Sequence, residues 1–93
     1  MTANLVLPAV LRPTAMGQTM IATEAATVGE ALDRLADEWP QLERRLRDEQ
    51  GRLRQHVRLY LGDADISDLD GMATKLFDGA RLHIIPAVSG GSC

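Results

Sequence analysis

The chain has 93 residues, 45% of them hydrophobic and 25% charged, a balance that fits one small folded domain and excludes a disordered chain. A net charge of −3, with one Trp, one Tyr and one Phe, leaves neither the basic field nor the aromatic platforms of a nucleic-acid binder. Cys93 is the only cysteine, which excludes an internal disulfide, and no apolar run approaches the roughly 20 residues of a membrane span. Met1-Thr2-Ala3-Asn4 opens without the basic and apolar regions of a signal peptide, so the cytoplasm is the expected compartment.

Asn4 to Leu11 is apolar and β-prone, which predicts a strand beginning near Leu5. Arg12-Pro13-Thr14 reads as a turn, and Gln18 to Thr23 alternates as a second strand, giving an opening hairpin. Thr27-Val28-Gly29-Glu30 fits a capping box, with Thr27 as N-cap. Val28, Ala31, Leu32, Leu35, Ala36 and Trp39 follow at steps of three and four, the apolar stripe of a helix. Pro40 ends that helix and opens a shorter one carrying Leu42 and Leu46.

Asp48 to Gln55 is polar and reads as a surface loop. His56 to Leu61 alternates, with Val57, Leu59 and Leu61 on one face and Arg58 and Tyr60 on the other. Gly62-Asp63-Ala64-Asp65 is a turn, and Ile66 is placed to begin a short strand. Leu69, Met72 and Leu76 can anchor a brief helical turn before the Asp78-Gly79 turn. Ala80 to Val88 is the last predicted strand, and Ser89 to Cys93 has nothing to bury and is expected to be a mobile tail.

This order predicts an α+β domain of the β-grasp type over 1–88: a mixed sheet, one main helix packed across one face, and a tail at 89–93. The first and last strands are expected side by side at the sheet centre. The open face opposite the helix is then the expected docking surface, with Arg58, Tyr60 and Arg81 as candidates.

No constellation of catalytic residues is present. His56 and His83, without cysteines or spaced carboxylates, fall short of a metal site. Asp63, Asp65, Asp68 and Asp70 lack the glycine and glutamate of a calcium loop and read as turn chemistry. Cys93 has no neighbouring base or helix terminus to activate its thiol.

The residues that carry a family resemblance are Leu7-Pro8-Ala9-Val10-Leu11-Arg12-Pro13, Gly17-Gln18, the Thr27-Val28-Gly29 helix start and Gly62-Asp63-Ala64-Asp65-Ile66. The most specific part is the end, where Asp78-Gly79-Ala80 leads to Ile84-Ile85-Pro86-Ala87-Val88-Ser89-Gly90-Gly91. Across essentially its whole length the chain resembles the ThiS/MoaD ubiquitin-like sulfur carriers, closest to their CysO-type branch.

The resemblance implies a protein co-substrate, not an enzyme. A ubiquitin-activating-like adenylyltransferase, using MgATP, would adenylate the carboxylate of Gly91. A sulfur donor or sulfurtransferase would convert it to a thiocarboxylate, for delivery to an acceptor synthase. Gly90 would let the tail enter a narrow channel, and Val88 and Ser89 would be read as extended backbone. No cofactor is expected on the chain itself. Mature family members end at the second glycine, so Ser92-Cys93 would first be removed by a JAMM-type metalloprotease, as in related carriers encoded with a short extension.

Three other readings stay open. The small subunit of a molybdopterin synthase uses the same tail chemistry within a permanent complex. A protein modifier would join Gly91 to lysines of its targets. A plain β-grasp binding module would carry Gly90-Gly91 incidentally.

Overall fold

The structure, a computed structural model, describes residues 1–86. Strand β1 (Thr2–Val6) pairs antiparallel with β2 (Met20–Glu24), the predicted opening hairpin. Helices α1 (Val28–Glu38) and α2 (Pro40–Leu46) follow. Strands β3 (Val57–Leu61), β4 (Ala64–Asp65) and β5 (Ala80–Pro86) complete a five-stranded sheet ordered β2-β1-β5-β3-β4. As expected, β1 and β5 lie side by side at the centre, running parallel.

The alternation of each strand explains how the sheet is covered on one side. Ala3 and Leu5 of β1, Val57 and Leu59 of β3, and Ala80, Leu82 and Ile84 of β5 are all buried. They join one core with Val28, Ala31, Leu32 and Leu35 of α1, and with Leu42 and Leu46 of α2. Trp39, half-buried at the junction of the two helices, packs against that core. The helical stripe read from the sequence is therefore the face that the sheet covers, and burial of these side chains is the main driving force for the fold.

The start of α1 is tied at several points. Thr27 Oγ1 accepts a hydrogen bond from the Glu30 amide at 3.2 Å, as a capping box requires. The Glu30 carboxylate reaches one residue further back than the usual box, accepting from the Ala26 amide at 2.6 Å. The Val28 amide donates to the Thr74 carbonyl at 3.0 Å, and the Leu76 amide to the Ala26 carbonyl at 2.8 Å. These bonds fasten the helix start to the segment preceding β5. Arg47, just after α2, holds the two helices together through Glu43 Oε2 at 2.6 Å and Asp33 Oδ1 at 2.9 Å. Burial works against the charge on Arg47, but the hydrogen bonds to Glu43 and Asp33 outweigh it and raise its pKa.

The structure departs from the sequence reading at several places, among them Ala64–Asp65, which reads as part of a turn but pairs with β3 as strand β4. The first strand ends at Val6 rather than Leu11, and Ala9–Ala15, including Arg12-Pro13-Thr14, forms a 3₁₀ helix instead of strand and turn. Pro8 has no amide to continue a ladder, and the 3₁₀ winding buries Leu11 and Ala15 together. Ile66 opens a 3₁₀ turn, Ile66–Asp68, and not a strand, because the Asp65 carboxylate caps the Ser67 amide at 2.9 Å. His56 lies in the turn before β3, outside the strand. The helical turn anticipated around Leu69, Met72 and Leu76 is a short 3₁₀ segment, Gly71–Ala73; Leu76 is buried and Leu69 is exposed.

Candidate functional site

The site is built around β5, the strand that delivers the C-terminal residues. Its start is fixed by Asp78-Gly79. The Asp78 carboxylate accepts from the Thr2 amide at 2.9 Å, and the Gly79 amide donates to the Thr2 carbonyl at 2.8 Å. Gly79 has φ +82°, a backbone conformation that side chains with a Cβ rarely adopt. The Asp-Gly pair thus clamps the first residue of β1 and sets the parallel register in which Ala3 faces Ala80 and Leu5 faces Leu82. That register fixes the placement of β5 beside β1 at the centre of the sheet.

The sheet face away from the helices is open. Residues paired in register stand side by side, so Met20, Val6, His83, Tyr60 and Asp65 form one row across all five strands. Ile85 and Arg58 stand beside this row on one side, and Arg81 and Asn4 on the other. Met20 and Ile85 are both 42% exposed, so the face presents an apolar and aromatic centre flanked by cations.

All three docking candidates named from the sequence, Arg58, Tyr60 and Arg81, lie on this face. Their electrostatic states differ. Arg58 is paired with Asp65 at 3.3 Å, whereas Arg81 makes no ion pair among the described residues. The Asp65 carboxyl is held below its usual range, first by hydrogen bonds from the Ser67 amide and hydroxyl and then by Arg58.

Val88, Ser89, Gly90, Gly91, Ser92 and Cys93, which carry the sequence-based reading of the tail, lie outside the described residues. The boundary between domain and tail read at residue 88 does so too. His56 and His83 are not brought together with other ligands: among the described residues no group of three or more His, Cys, Asp or Glu is placed to hold a metal ion. Nor is any helix among them long and apolar enough to cross a membrane.

A second feature lies beside the end of β5 and was not legible in the sequence. Arg44, Arg45, Arg54 and His56 alternate along the chain with acidic and neutral residues, yet they converge on one recess. The signal for it was the Arg44-Arg45 pair on a helix whose Leu42 and Leu46 must face the core. That constraint turns both arginines outward.

Comparison with known proteins places this geometry among relatives. The ThiS family pattern matches residues 5–91. The sulfur carrier protein CysO of Mycobacterium tuberculosis is 32% identical over 93 residues, covering 98% of this chain and all of that protein. Small archaeal modifier protein 3 of Haloferax volcanii is 41% identical over 66 residues, covering 71% of each chain. In the crystal structure of the Amycolatopsis orientalis BexX/CysO complex, one chain superposes with a TM-score of 0.86 at 29% identity, covering 96% of this chain and 99% of that one.

Proposed function

The chain belongs to the ThiS family, and from that premise we propose that it is a sulfur carrier whose working group is the C-terminal carboxylate of Gly91, exposed once Ser92-Cys93 has been removed. The observation that carries this reading is the extent of the family match. It runs from residue 5 to residue 91, so it includes Gly90-Gly91 and leaves Ser92 and Cys93 beyond it. The near-complete coverage of CysO, a protein named as a sulfur carrier, supports the same reading.

The chemistry follows from what a carboxylate cannot do unaided. At neutral pH the terminal carboxyl is ionised and is a poor electrophile. A partner adenylyltransferase transfers AMP from MgATP to it, releasing pyrophosphate. Sulfide from a donor or sulfurtransferase then displaces AMP and leaves a thiocarboxylate. The product is anionic with a nucleophilic sulfur, suited to an acceptor synthase that makes cysteine or another sulfur-containing metabolite. The chain itself supplies a rigid grip and a covalent handle; catalysis belongs to the partners.

Each part of the chain has a physical role in this scheme. The domain presents the open sheet face for docking, while Val88 and Ser89 are read as extended backbone. Gly90, lacking a Cβ, lets the tail pass a constricted channel. With Ser92-Cys93 attached, the free carboxylate sits on Cys93 instead of Gly91, so the longer form is inert until a JAMM-type protease trims it.

A second reading has its own support. Small archaeal modifier protein 3 is named as a modifier, and a modifier uses an activated Gly91 equally well. The two are separated by incubating the protein in extract of its own cells with MgATP and sulfide. A carrier yields a trimmed chain with one oxygen-to-sulfur exchange. A modifier yields chains joined to target lysines and no sulfur-bearing product.

A further inference from the structure

Arg44, Arg45, Arg54 and His56, with Thr14 and Gln41, line an open recess of about 450 Å³ whose wall holds no carboxylate. Arg45 and His56 also line a smaller hollow of about 120 Å³, together with Val57, Ile84 and Pro86. The two hollows share those residues, so the recess on α2 adjoins, through Arg45 and His56, an apolar hollow that reaches Pro86, the last residue of β5.

Three of the four nearby acidic groups are engaged elsewhere. On their far side Arg44 and Arg54 border a hollow containing Asp33, Glu43, Asp48 and Glu49. Asp33 and Glu43 are bound to Arg47, and the Asp48 carboxylate accepts from the Gln50 and Arg52 amides. Among the described residues, Arg44, Arg45 and Arg54 make no ion pair. The Arg54 Nε donates to the Arg44 carbonyl at 2.7 Å, which holds these like charges close together. Gathered cations repel one another; Arg54 is partly offset by Asp48, whose carboxyl it helps to hold below its usual range, but no carboxylate lines the recess itself.

Position supplies the rest. Gly91 lies five residues beyond Pro86, a reach of at most about 18 Å for fully extended backbone. Any protein that closes around Gly91 must therefore bring its entrance up to the end of β5, beside the recess. We propose that this recess docks a carboxylate-rich rim on the partner that takes up the tail, with Arg44 and Arg45 supplying the steering charge. The inference rests on the carrier reading and names a surface of the partner that reading requires. Such complementarity acts mainly on the rate of encounter and weakens with salt.

The test measures conversion of the full-length protein to the thiocarboxylate by intact mass, in extract of its own cells with MgATP and sulfide. Four forms are compared: wild type, Arg44→Glu/Arg45→Glu, Arg44→Lys/Arg45→Lys, and Arg34→Glu/Lys75→Glu. The last makes the same change in net charge at exposed positions outside the recess. At low salt, the Arg44→Glu/Arg45→Glu form converts at least about tenfold more slowly than wild type. The lysine form and the Arg34→Glu/Lys75→Glu form stay within about twofold, since a rim of carboxylates is drawn to charge at the recess. Raising salt from about 50 to about 300 mM slows the wild type and speeds the Arg44→Glu/Arg45→Glu form, so the two rates converge. Matching urea midpoints for all four exclude a folding defect. Wild-type conversion with an unimpaired Arg44→Glu/Arg45→Glu form overturns the inference alone, as does equal slowing of the Arg34→Glu/Lys75→Glu form. A wild type that is never converted overturns the carrier reading and this inference with it.

Discussion

At the scale of single residues, the positions that matter fix the start of β5 and the turn after β4. Gly79 is strained for any other residue by its backbone conformation, and the pair it forms with Asp78 clamps Thr2. Replacing Gly79→Val should destabilise the fold by about 1–3 kcal/mol, measured by urea unfolding, because a β-branched residue resists positive φ. Asp65 gives a pH signature. Its folded pKa is depressed below 3.8, so the stability it contributes is fully present above the unfolded value and is lost as pH falls through the folded one. Asp65→Ala should therefore unfold at lower urea than wild type at neutral pH, and the difference should shrink as the pH falls through the depressed folded value. A difference that persists unchanged in acid would show that the Asp65 charge is not what stabilises the turn.

At the scale of elements, the amphipathic helix and its cap were the most legible features, because periodicity and capping chemistry are local. Val28, Ala31, Leu32 and Leu35 are all buried, and Thr27 caps as its spacing to Glu30 required. Thr27→Ala should cost about 1 kcal/mol, the usual value of an N-cap. Leu32→Ala should cost about 2–5 kcal/mol, because Leu32 is fully buried and its removal leaves a cavity. Urea denaturation of both variants checks the ranking, and equal losses would contradict a core centred on this helix face.

What could not be read locally was whatever tertiary packing decides. The chain after Pro8 has β-prone residues but no ladder to join, and it winds into a 3₁₀ helix to bury Leu11 and Ala15. The strand expected at Ile66 gives way to a turn because a single carboxylate, Asp65, captures the Ser67 amide. The basic recess escaped the sequence for the opposite reason. Its arginines are interleaved with acidic residues along the chain and separated from them only when Glu43, Asp33 and Asp48 find other partners. The apolar row of the open sheet face was legible in part: alternation assigned Arg58 and Tyr60 to one side of β3, and the strand order then aligned Tyr60 with His83, Val6 and Met20.

At the scale of the whole molecule, the carrier reading makes the fold a mount for a short C-terminal segment. Parallel pairing of β1 and β5 places the last strand at the sheet centre, flanked on both sides by hydrogen-bonded neighbours. Pulling on the tail therefore loads the interior of the sheet and not a frayed edge. The open face and the basic recess lie on either hand of that strand's end, so a partner that grips the tail has an apolar and a charged surface to orient against. Under the carrier reading, a chain ending at Ser89 should fold with unchanged stability and accept no sulfur, which separates tail chemistry from a role of the domain alone.

The most direct test is the intact mass of the protein isolated from its own cells with sulfur demand high. The carrier reading predicts loss of Ser92-Cys93 together with one oxygen-to-sulfur exchange at the new terminus, Gly91. A mass that retains Ser92-Cys93 throughout would contradict it, as would a trimmed chain found only in linkage to lysines of other proteins.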